Sequence, residues 1–297
     1  MPSAIDSNRT TQIALVAALL WFALQAVLLA GKYFSLDEFQ YAHAAWLVAR
    51  GEVPYRDFFE VHFPLLYQVL APVFLVAGDD PTAIVGLRIG MLPFVAIACV
   101  AAATLNRAEG RVAALAAPLF LLALPSFVTL ATEIRPDAVA CALFLASLAV
   151  LRMASARDRA AGFVSGVLLV GAVWGSQKAA FYGSICAPAL LLDLVSGRSA
   201  TRRGDPTPLL RSPFAFVAGA ASGLSILAVY LTATQSWAAW WSWCFVWAAE
   251  HQRHYPGFSW QRYFVPIAVD ALWLFALAAV GANSQSCLLY TSPSPRD

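Results

Sequence analysis

The sequence predicts an all-α polytopic membrane protein, and three observations carry that prediction. Of its 297 residues, 60% are hydrophobic and only 12% are charged, against about 25% charged in a soluble domain; the mean hydropathy is +0.68. Apolar runs that approach the roughly 20 residues needed to cross a bilayer recur along the chain. The short loops between them concentrate arginine, the mark of a cytoplasmic face.

Taken in order, the runs predict about eight spans, at about 11–31, 85–105, 112–131, 135–152, 160–176, 179–195, 212–233 and 264–282. The first, Thr11 to Gly31, is too long for a secretory signal and lacks a small-residue cleavage site, so it reads as a retained span. Two further stretches, about 62–78 and 237–249, are apolar but short or rich in aromatics, and suit re-entrant or interfacial helices. Arg107 and Arg111 flank one short loop. Arg152, Arg157 and Arg159 occupy another, and Arg198, Arg202, Arg203 and Arg211 a third. With 62–78 kept from crossing, all three loops share the N-terminal, cytoplasmic side; if it crossed, the charge bias would invert. The acidic loop after the first span, the turn at Glu133–Asp137 and the Trp-rich stretch 237–262 then share the outer face.

A net charge of +2 is too small to signal nucleic acid. The four His and five Cys form no C-x-x-C or H-E-x-x-H pattern, so the sequence signals no metal site. Cys99, Cys141 and Cys186 fall inside apolar spans, where a cysteine serves as a small packing residue.

The loop "FSLDEFQYAHAAWLVARGEVPYRDFFEVHFPLLY", Phe34 to Tyr67, is the most informative stretch. Ser35-Leu36-Asp37-Glu38 fits a capping box, with Ser35 at the N-cap and Glu38 at the third helical position. Leu36, Phe39, His43, Trp46 and Leu47 follow at helical spacing, and Gly51 can close the helix in the left-handed conformation. These features predict an amphipathic surface helix over 36–50 and a second short helix from about Pro64. Each polar group has a structural reading: Glu38 as a cap, Asp37 as a complement to the helix dipole, His43 and His62 as packing or hydrogen-bonding groups, and Glu52, Asp57 and Glu60 as solvated loop charges. The functional reading uses Asp37 as a base for an incoming hydroxyl and nearby cations for a phosphate leaving group. The outer-face cations are Arg88, Arg135, Lys178, Arg253 and Arg262, whose structural alternative is snorkelling or pairing.

The Asp37-Glu38 pair, the run "ARGEVPYRDFFEVHFPLLYQVLAPVFLVAG", the "GLRIG" at the next span and the "RPD" after the third come in an order that resembles the C-type glycosyltransferase superfamily. The resemblance is to bacterial relatives of protein O-mannosyltransferases and of the lipid A aminoarabinose transferase, the Rgt-like group, and it covers about 1–200. It implies a C-type glycosyltransferase transmembrane module in a bacterial inner membrane, with the N-terminus cytoplasmic and the active site on the periplasmic or extracellular side. The implied activity is transfer of a sugar from a polyprenyl-phosphate donor to a hydroxyl of a lipid, glycan or protein acceptor. Asp37 falls on the implied catalytic carboxylate, with Glu38 as its partner. Arg88 falls on the family's arginine before the second span and Asp137 on its acidic residue after the third. Arg135 and Lys178 join Arg88 as donor-phosphate ligands, and His62 and Tyr41 join Asp137 as supporting outer-face groups. Some relatives use a divalent ion and others do not. The chain departs from the family's frequent His-Pro-Pro in reading His62-Phe63-Pro64.

Two readings from other classes stand beside this one. A transporter or flippase for a lipid-linked glycan predicts inverted repeats and polar groups at mid-membrane, whereas no repeat is visible here. A non-catalytic subunit of an envelope assembly complex would tolerate the loss of Asp37. The last residues, "CLLYTSPSPRD", resemble a translated sequencing adapter. The expected organisation is therefore a transmembrane domain over 1–286, interrupted at its C-terminal end, followed by a non-native 287–297.

Overall fold

The computed structural model describes residues 32–153, 158–181, 183–184 and 213–254, together with isolated helical positions at 16, 20, 23, 24, 27, 265, 268 and 269. The expected spans at 11–31, 179–195 and 264–282 fall wholly or mostly outside the described residues, as does the segment 287–297. The described residues form helices, with a single isolated bridge between Pro54 and Phe58. In chain order these are α1 (Leu36–Ala49), α2 (Leu65–Ala77), α3 (Ala83–Leu105), a 3-10 turn (Arg107–Glu109), α4 (Arg111–Ala123), α5 (Pro125–Ala131), α6 (Pro136–Met153), α7 (Arg159–Gly175), α8 (Pro213–Ala233), α9 (Trp237–Trp241), a π-helical stretch (Ser242–Trp247) and α10 (Ala248–His254). Three of them are long and apolar enough to cross a membrane: Ala83–Leu105, Pro136–Met153 and Phe214–Ala233.

The local signals of the first loop are realised. Ser35 accepts from the Glu38 amide while the Glu38 carboxylate accepts from the Ser35 amide, so the capping box is closed. Gly51 has φ 88°, the left-handed residue that ends α1. The buried face of α1 differs from the one its large apolar residues mark out. Tyr41, Ala42, Ala44 and Ala45 pack inward, while Leu36 is 86% exposed and Phe39 54% exposed. The alanines let α1 lie close to α2, with Tyr41 packed beside them, while Leu36 and Phe39 face away from the protein, as on a helix lying on a bilayer.

The single span expected at 112–131 is two helices. Pro125 disfavours helical geometry at the residue before it, and Leu124 is accordingly extended at ψ 116°, which ends α4; Pro125 then opens α5.

The core of the described bundle runs α3 against α6, α6 against α7, and α7 against α8. Ser147 and Ser165 join α6 to α7 by donating to each other's carbonyl oxygens at 2.9 Å, in a fully buried position. Such an interhelical bond holds helices together where lipid removes the hydrophobic driving force. Helices α7 and α8 meet backbone to backbone: a Cβ on Gly219 would overlap the Phe163 carbonyl, and one on Gly166 the Phe216 carbonyl. Gly219→Ala therefore forces the two helices apart. The expected cost is about 3 kcal/mol, the upper end for overpacking, read as a lowered unfolding midpoint in detergent. An unchanged midpoint would show that this crossing is loose.

Candidate functional site

The described structure gathers one set of polar groups at one end of the bundle: the N-terminal ends of α1, α3 and α6, the residues after α7, and the loop between α1 and α2. Its centre is a buried ion pair. Arg88, in the second turn of α3, donates from Nε to Glu38 Oε1 and from Nη2 to Oε2, each at 2.8 Å. Glu38 is fully buried and Arg88 is 2% exposed. The remaining polar atoms of the pair are also bonded. Glu38 accepts from the amides of Ser35 and Ile134, and Arg88 donates to the carbonyls of Lys32 and Tyr33 with its guanidinium 3.8 Å over the Phe34 ring. Burial pushes the Glu38 carboxyl up, but the Arg88 hydrogen bond and the Ser35 and Ile134 amides outweigh it and leave its pKa below the usual value. The pair ties the start of α1 to α3 and to the turn before α6. In this structure Glu38 and Arg88 are enclosed and hold these elements together.

Asp37, one residue before Glu38, points the other way. Its side chain is half exposed and meets Arg135 Nη1 at 3.1 Å. Arg135 also pairs with Glu133, whose second oxygen takes Lys32. Asp37, Arg135, Glu133 and Lys32 thus form one chain of alternating charges along this face. Beside it, Lys178 Nζ lies 3.0 Å from Asp137 Oδ2, and Ser176 donates to Asp137 Oδ1 at 3.0 Å. Lys178 is 58% exposed. Of the groups read from the sequence, Asp37, Arg135, Asp137 and Lys178 are therefore accessible, and Glu38 and Arg88 are enclosed beneath them. The side chain of Arg253 and all of Arg262 lie outside the described residues.

A second buried carboxylate belongs to the loop. Glu52 and Asp57 are solvated, as expected, with Asp57 held by Arg56. Glu60 is not: it is 1% exposed. Its Oε1 accepts from the amides of Val61 and His62 and lies 2.8 Å from His62 Nδ1. His62 Nε2 lies 3.4 Å from the Tyr41 hydroxyl, so Glu60, His62 and Tyr41 form a line toward α1. Burial, with Asp37 nearby, pushes the Tyr41 phenol far above its ordinary value, and it stays an O–H donor. The chain reverses through Tyr55, at φ 72°, whose hydroxyl donates to the His62 carbonyl. Gln177 donates to the Val61 carbonyl, tying this loop to the Lys178 turn. No sequence signal separates Glu60 from Glu52 and Asp57. Its burial follows from the tertiary fold of the loop, as do the roles of Lys32 and Ser176, whereas the pairing of Arg135 with Glu133 was among the partners its sequence neighbours offered.

The Trp-rich stretch packs on the same loop. Phe59 lies edge-on to Trp243 and Trp247, at 4.9 and 5.0 Å between ring centres, and Phe63 contacts Trp240 at 5.4 Å. The π-helical turn at Ser242–Trp247 lies in this contact. A cleft of about 370 Å³ runs along α6 and α7, walled by Phe144, Leu148, Leu169 and Val173, and reaches Ala179, the residue after Lys178.

Among the described residues no three His, Cys, Asp or Glu side chains converge. Glu60 and His62 are bonded to each other rather than aimed at a shared point. As placed, these residues do not fit a divalent ion. Compared with protein-family models, with curated proteins and with solved structures, the chain matches none.

Proposed function

We propose that the chain is a membrane glycosyltransferase that moves a sugar from a polyprenyl-phosphate donor to an acceptor hydroxyl at the outer membrane face. The observation that carries the proposal is the division of labour within Asp37-Glu38. Glu38 is buried and locked to Arg88, which leaves Asp37 half exposed beside Arg135 on a rigid helix end. A base must be reachable by its substrate and held in place, and Asp37 meets both conditions.

In the proposed reaction the acceptor oxygen attacks the anomeric carbon as Asp37 takes the hydroxyl proton. The bond from that carbon to the phosphate oxygen breaks, and the polyprenyl phosphate leaves with the electron pair. Arg135 and Lys178 stabilise the charge on the leaving phosphate. A phosphate is already a good leaving group, so one carboxylate suffices where glycoside hydrolysis uses two. A single displacement of this kind inverts the anomeric carbon. The apolar cleft along α6 and α7, which reaches Ala179, suits an isoprenoid chain.

Neutralising Arg135 or Lys178, as Arg135→Gln or Lys178→Gln, tests the phosphate assignment. Losing a charge-assisted hydrogen bond costs about 1.5–3 kcal/mol, so KM for the donor should rise roughly tenfold or more while KM for the acceptor stays put. Equal effects on both substrates would mean that the two residues only hold the fold.

A further inference from the structure

We infer that the turn joining α3 to α4 is a binding site for an anionic phospholipid, seated by its phosphodiester at Arg107 and Arg111. The site lies at the far end of α3 from Arg88, at the opposite membrane surface from Asp37. A cleft of about 460 Å³ opens there between the two helices, within the range of small-molecule sites. Its rim carries Arg107 and Arg111, and its wall is formed by Thr104, Ala114 and Leu115. Cationic rim and apolar wall match the two parts of a phospholipid, a phosphate at the surface and acyl carbons just below.

Gly110 shapes the opening. It has φ 106°, and nothing lies within 4 Å of where its Cβ would be. The chain turns sharply there without a side chain to fill the space between the arginines. Glu109 on the same turn leaves an excess of positive charge on this loop. Charges of this kind at a membrane surface attract anionic lipid. A soluble anion would use the rim and leave the apolar wall unoccupied. The occupant that uses both is a lipid of the adjacent leaflet, and it would fasten the α3–α4 turn to the membrane.

The test uses the full chain purified in a neutral detergent. Phosphatidylglycerol and phosphatidylcholine of equal chain length are titrated, and bound lipid is read by native mass spectrometry and by the shift in unfolding midpoint. Phosphatidylglycerol should bind about tenfold tighter than phosphatidylcholine. Arg107→Gln with Arg111→Gln should erase the difference. Ala114→Trp, which fills the wall and keeps both charges, should weaken phosphatidylglycerol as well. The inference is overturned if the preference survives the double substitution, if Ala114→Trp leaves binding intact, or if inorganic phosphate stabilises the protein as well as the lipid does.

Discussion

Asp37→Asn should lower the rate of sugar transfer by about 10²- to 10⁴-fold, the range for loss of a general base. Asn keeps the size and helix position of Asp37 and cannot take the acceptor's proton. The side chain is half exposed, and its ion pair among the described residues is to a partly exposed arginine. Exposed pairs of this kind contribute little to stability, about 0–1 kcal/mol, so membrane insertion and unfolding midpoint should hardly change. The loss should appear in kcat, with donor KM little altered. Transfer near the wild-type rate would remove Asp37 from the chemistry and favour a non-catalytic envelope subunit.

The second large effect is structural. Arg88→Met removes the only cation paired with the Glu38 carboxylate among the described residues and leaves that carboxylate buried. Breaking such a pair costs about 3–5 kcal/mol. Replacing both partners, as Glu38→Leu with Arg88→Met, removes the stranded charge and should recover part of that loss. The pH dependence follows from the direction of the shift. Glu38 ionises more readily in the folded protein than its ordinary value of 4.5. Its contribution to stability is therefore present above about pH 4.5 and is lost as pH falls through the lower folded value. A midpoint titration of the wild type should show this loss, and Glu38→Gln should flatten it. A titration identical in both proteins would mean that the pair does not couple to folding. Because Asp37 is the next residue, Arg88→Met should also depress transfer by loosening the start of α1.

These effects mark the boundary between what the sequence discloses and what it hides. The start and stop of α1 were legible because Ser35, Glu38 and Gly51 act through neighbours in the chain. The membrane character was legible from apolar runs, and three of them appear as helices long enough to cross. The partner of Glu38 was not legible. Arg88 lies 50 residues away, and each residue alone fits a local role, cap for one and phosphate ligand for the other. Glu60 shows the same limit, since its burial depends on groups that the fold, not the local sequence, brings against the loop. The break at Leu124-Pro125 is a different case. Proline's steric effect on its neighbour is local, but a mean hydropathy over 112–131 averages it away. Which residues of α1 pack inward was not legible either: helical spacing marks an amphipathic surface helix, but that Tyr41 and the alanines meet the protein while Leu36 and Phe39 face out depends on the helices it packs against.

The central claim is a single displacement at an outer-face site with Asp37 as base. It is tested most directly by the anomeric configuration of the product. Membranes holding the protein would be given polyprenyl-phosphate donors of known configuration, loaded with hexose or pentose. The linkage in the product would then be read by NMR. The product should be inverted relative to the donor and absent with Asp37→Asn. A product of retained configuration, or no transfer from any polyprenyl-phosphate sugar, would contradict it.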